Sequence, residues 1–237
     1  MRFLTVLLPL GLVAQAAFAA TCSAGANISP SSPAQPPLPK NYKSLSVGVI
    51  IYEFATPLDY FGPLQYLDKL SVVGVDVRMS TIGQKPGFMR SDEGGIPYHA
   101  THDYKDLPVD TKFNVLMITG GTTKAVISDP AFMSFIREQS KRADYVLTVC
   151  TGSEILAGTG LLDGKNATTN KMAFGEISTA SPRGELAAQG ALGHRRQRMD
   201  LGRAFIADVF GKAAATLLAF NLEIVSNTDP SNDPYAA

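Results

Sequence analysis

From Leu45 onward the sequence alternates short β-branched, apolar runs with stretches of helical character, and this alternation limits the available folds more than any other feature. Leu45 to Tyr52 is apolar nearly throughout, as suits a strand covered on both faces. A helical stretch is expected from about Leu58 to Leu70, with Asp59 near its start and Pro63 in an early turn where proline is tolerated. Val73 to Ile82 reads as a second strand, and Phe113 to Thr119 as a third that runs straight into Gly120-Gly121. A helix from about Pro130 to Arg142 precedes a fourth strand, Tyr145 to Val149, which ends in Cys150-Thr151-Gly152. Buried strands separated by helices predict an α/β domain with a mostly parallel sheet.

The flanks read differently. Residues 1–19 carry Arg2, an apolar stretch and the triplet Ala17-Phe18-Ala19, the pattern of a secretory signal peptide; an uncleaved anchor is the alternative, against which Pro9 and Gly11 count. Residues 20–44 form a Pro/Ser-rich linker, 45–230 the folded domain and 231–237 a tail. A secreted chain would offer Asn27 and Asn166 as glycan acceptors. Lys+Arg and Asp+Glu both number 21, a balance that argues against a nucleic-acid grip or a membrane-surface role. Two cysteines, Cys22 and Cys150, provide no disulfide framework, and a bridge between them would silence Cys150.

Ligands of open parallel sheets sit beyond the carboxyl ends of the strands, and three features fall at such ends: Asp59, Gly120-Gly121 and Cys150. A strand-to-helix elbow at Cys150 would push the thiol into the cleft, and the following helix start would favour the thiolate; a small buried hydrophobe is the structural alternative. Gly120-Gly121 lets the backbone approach a ligand and can aim N–H groups at developing negative charge, or is merely a turn. Asp59 is either an acid at the site or a helix cap. His99 and His102 read as a solvated polar loop rather than a metal pair.

The run Gly48 to Leu67, the strand into Gly120-Gly121, and Val149-Cys150-Thr151-Gly152 through Thr168-Thr169 together resemble the PfpI/ThiJ family of the class I glutamine amidotransferase-like superfamily, nearest its isocyanide hydratase-like subgroup. The resemblance implies a flavodoxin-like three-layer sandwich with a mostly parallel sheet and a nucleophile elbow. It further implies Cys150 as nucleophile, Asp59 as general acid/base, and Gly120, Gly121 and Thr151 in oxyanion or substrate positioning. The implied reaction is cofactor-independent hydration of an isocyanide to an N-substituted formamide, in a homodimer acting on a small molecule, with no metal. Glyoxalase-like or amidase chemistry on the same cysteine, or a non-catalytic binding role, are the rivals. Two departures stand out. Thr169-Asn170-Lys171 replaces the Thr-His-Trp often seen in similar sequences, and residues 183–198 lack β-branched and aromatic residues altogether, which predicts a segment unable to form strands.

Overall fold

The computed structural model describes residues 42–91, 95–165, 167–180 and 198–225, all within the unit Gln35–Ala237. The expected signal peptide, almost all of the linker, both glycan acceptors, Cys22, all of 183–198 but Arg198, and the tail lie outside the described residues.

Seven strands and seven helices are described. The strands are β1 (Ser44–Ile50), β2 (Asp76–Gly83), β3 (Gly87–Arg90), β4 (Pro97–Ala100), β5 (His102–Asp103), β6 (Val115–Ile118) and β7 (Tyr145–Thr148). The helices are α1 (Pro57–Asp68), α2 (Lys124–Ile127), α3 (Pro130–Arg142), α4 (Gly152–Gly158), α5 (Phe174–Ala180), α6 (Arg198–Phe210) and α7 (Lys212–Asn221). Five strands form one parallel sheet in the order β5-β2-β1-β6-β7. The two central strands are the most apolar: Leu45, Val47, Val49 and Ile50 of β1 and all four residues of β6 are buried. Between them the order reverses direction, so the crevice beyond Ile50 and Ile118 is the switch point of the sheet.

Right-handed crossovers leaving a central strand in opposite directions place their helices on opposite faces. Accordingly α1 packs with α6, and α6 with α7, in one group, while α2, α3 and α4 pack together in another. The α/β sandwich expected from the pattern is therefore the observed architecture, although several boundaries differ. Val73 belongs to a 3-10 turn (Lys69–Val73) that Gly74 closes at φ 81°, so β2 starts only at Asp76. The antiparallel hairpin β3–β4 was not expected, because each of its strands is only four residues long. His99 and His102 sit on short strands rather than in a loop: His99 lies on β4, solvent-exposed between buried Tyr98 and Ala100, and His102, half-buried, on β5. Three alternating residues are too few for their period to be distinguished from a loop.

Candidate active site

The thiol is set by a strained turn. Val149 still bonds to Ile118 O at 3.0 Å, then Cys150 adopts φ 54°, and Gly152 N donates to Val149 O at 2.8 Å as α4 begins. A left-handed φ on a residue with a side chain costs of order 1–2 kcal/mol, and such strain persists only where surrounding contacts impose it. Here Ser153 Oγ (3.0 Å) and Thr169 Oγ1 (3.4 Å) both donate to the Cys150 carbonyl oxygen. The elbow expected from the sequence is thus present, with Cys150 half-buried and carrying a thiol.

Asp59 is not the cap of α1. That position belongs to Thr56, whose carbonyl accepts from Asp59 N at 3.1 Å, while the Asp59 side chain turns inward and is 0% exposed. Its direction is given by Gly120: a Cβ added there would collide with Asp59 Oδ2 and would stand 2.7 Å from Cys150 Cβ. The carboxyl group and the cysteine therefore both close on the Gly120 backbone, an approach that leaves no room for a side chain at residue 120.

Gly121 and Thr151 behave otherwise than the sequence suggested. Gly121 N donates to Thr151 Oγ1 at 2.8 Å, and Thr151 Oγ1 donates to Gly121 O at 2.9 Å. The Gly121 N–H that was expected to face developing charge is engaged by the threonine hydroxyl, and the hydroxyl proton by the glycine carbonyl. This reciprocal pair fastens the turn after β6 to the elbow after β7. Gly121 itself has φ 138°, and a Cβ would run into Phe54 O and Ala55 Cα, so the turn admits only glycine.

Two neighbours escaped the sequence reading. Tyr52, taken only as a strand residue, is buried beneath the site and donates to Thr119 O at 3.0 Å. Its phenol is held well above its ordinary value, first by burial and then by Asp59, Cys150, Tyr98 and Glu154. Asn170, noted only as a departure from a pattern, donates from Nδ2 to Cys150 Sγ at 3.0 Å. No signal in the local sequence places residue 170 against residue 150. Among the described residues no group of His, Cys, Asp and Glu is arranged to hold a metal ion.

Comparison with known proteins agrees with this fold. The model of the DJ-1/PfpI family matches residues 45–187. The chain belongs to this family. The isonitrile hydratase of Pseudomonas putida is 32% identical over 128 residues, a match covering 54% of this chain and 53% of that enzyme, so about half of the relative's length is spanned. An uncharacterized Streptomyces lividans protein is 28% identical over 125 residues, covering 52% of this chain and 86% of that protein. Among solved structures, a THiJ/PfpI family protein from Pseudomonas syringae superposes with TM-score 0.67 at 21% identity, covering 90% of this chain and 89% of the other. Schizosaccharomyces pombe DJ-1 superposes with TM-score 0.58 at 13% identity over 76% of this chain and 100% of the other. At these identities the structures establish the DJ-1/PfpI fold.

Proposed function

We propose that this DJ-1/PfpI protein hydrates isocyanides to N-substituted formamides, with Cys150 as nucleophile and Asp59 as the proton carrier. The observation that carries the reading is the approach of a cysteine on a nucleophile elbow and a buried carboxyl group to the same glycine, Gly120. The similarity to an isonitrile hydratase supports it.

In the reaction, the Cys150 thiolate adds to the terminal carbon of the isocyanide, forming a C–S bond, and Asp59 delivers its proton to that carbon, giving a thioimidate. Water then adds to the same carbon. One water proton ends on the substrate nitrogen, the C–S bond breaks with its electron pair returning to sulfur, and the hydroxyl proton passes to Asp59 as the formamide carbonyl forms. Atoms and charge balance with thiol, carboxyl and water alone, so the scheme calls on no cofactor. Thr151 and Gly121 act in it by holding the Gly120 backbone against the elbow rather than by donating to substrate.

The proposal extends to a secreted homodimer. The apolar N-terminal stretch supports secretion, and the exposed Leu58 and Phe61 on α1 support association. Incubation of the full chain with cyclohexyl isocyanide, followed by NMR, tests the chemistry. Saturable formamide production is expected, falling at least about a hundredfold in Cys150→Ala and Asp59→Asn. Turnover equal to that of Cys150→Ala would sink the hydratase reading and leave the glyoxalase-like, amidase or binding roles.

A further inference from the structure

The side-chain amide of Asn170 is held at both ends. Oδ1 accepts from Met172 N at 2.9 Å and from Ala173 N at 3.4 Å, in the turn that opens α5. These two donors decide which way the amide faces, because an NH2 group turned toward them would leave donors opposing donors. Nδ2 is thereby committed to Cys150 Sγ, 3.0 Å away. A thiol sulfur accepts weakly, whereas a thiolate accepts a charge-assisted bond, so this N–H stabilises the charged form more. Asp59 and Glu154 gather with Cys150 around the buried Tyr52 phenol. Glu154 is itself fixed, its Oε2 accepting from Thr123 Oγ1 at 2.6 Å.

We propose that Asn170 is the positioning residue for Cys150, supplying a non-titrating donor that orients Sγ before attack and receives it again when the C–S bond breaks. The proposal rests on the hydratase reading for the second of these moments but not for the first. An amide neither gains nor loses a proton near neutrality, so this donor is constant and leaves proton traffic to Asp59.

Asn170→Asp is the informative variant, because a carboxylate still offers oxygen to Met172 N and Ala173 N while replacing the donor toward sulfur with an acceptor. In the full chain, iodoacetamide alkylation at neutral pH, ultraviolet thiolate absorbance, thermal midpoint, and kcat and KM with cyclohexyl isocyanide are measured together. Alkylation rate and kcat are expected to fall on the order of tenfold or more, the worth of a hydrogen bond to a charged group, with KM and thermal midpoint little changed. Asn170→Ser provides a second variant, whose hydroxyl can cap the same amides but is too short to reach Sγ, and it should show the same loss. Wild-type alkylation in either folded variant overturns the proposal. So does a loss that appears in both variants only in step with a collapse of the thermal midpoint, which assigns Asn170 a structural role. Slowed alkylation in variants of a wild type that hydrates no isocyanide upholds Asn170 as the thiolate's partner and removes the hydratase reading instead.

Discussion

At the scale of single residues, the strain at Cys150 has a measurable consequence. Its φ of 54° is imposed by Ser153 and Thr169 on its carbonyl and by the tight turn into α4. Any residue with a Cβ meets the same penalty, while glycine does not. Cys150→Gly should therefore be more stable than Cys150→Ala by about 1 kcal/mol in urea denaturation, although glycine ordinarily weakens a chain through its unfolded-state entropy. Equal stability of the two variants, or a less stable glycine, would show that the elbow is relaxed. The comparison separates strain from chemistry because neither variant has a nucleophile.

Among the elements, α3 is the one whose start is most fully specified. Pro130 occupies its first turn, and Asp129 Oδ1 accepts from Ala131 N and Phe132 N, both at 3.1 Å. Gln84, just past β2, donates to Asp129 Oδ2 at 2.8 Å. The Asp129 carboxyl is held below its ordinary value, first by Gln84 and then by the Phe132 N–H. A carboxyl with a depressed folded-state value contributes stability that is fully present above its unfolded value, about 3.9, and is lost as pH falls through the folded one. Asp129→Ala should cost about 1 kcal/mol at neutral pH, the usual worth of a cap, and urea melts should show that gap narrowing in strong acid. A gap that stayed constant into acid would mean that the charge on Asp129 is irrelevant to the cap.

For the molecule as a whole, the question is what joins the β3–β4 hairpin to the loop that leads from β1 into α1. Two contacts compete for that role. Arg90 Nε pairs with Glu53 Oε1 at 2.8 Å, but the two side chains are 66% and 34% exposed, and such pairs contribute about 0–1 kcal/mol. Tyr98 is buried, and its single hydroxyl proton lies among the carbonyls of Tyr52 (3.0 Å), Ala55 (2.9 Å) and Arg90 (3.0 Å). Tyr52 O also accepts from Ala55 N at 3.1 Å and Arg90 O from Phe54 N at 2.8 Å, so removing the hydroxyl falls chiefly on the carbonyl of buried Ala55, and a buried acceptor short of a donor costs more than a lost solvated ion pair. Tyr98→Phe is thus expected to lower stability by about 1–2 kcal/mol with an unchanged denaturant slope, and Glu53→Gln by under about 0.5 kcal/mol. The reverse ranking would place the ion pair, not the tyrosine, at the junction.

What the sequence determined by itself was the succession of elements and the elbow. The apolar runs of β1 and β6 and the helix signals around α3 record burial locally, because a strand covered on both faces needs apolar residues at nearly every position. Cys150 was legible for the same reason, standing where such a run meets a helix start. Tertiary structure alone decided what surrounds it. Asp59 became a buried neighbour of Gly120 rather than a cap because its side chain turns inward, where the glycine leaves room for it beside Cys150. Gly121 and Thr151 satisfied each other instead of facing substrate, and Asn170 reached back to the sulfur. Hydrogen bonds between side chains and distant turns depend on how the layers pack, and hydrophobic periodicity carries no record of that packing.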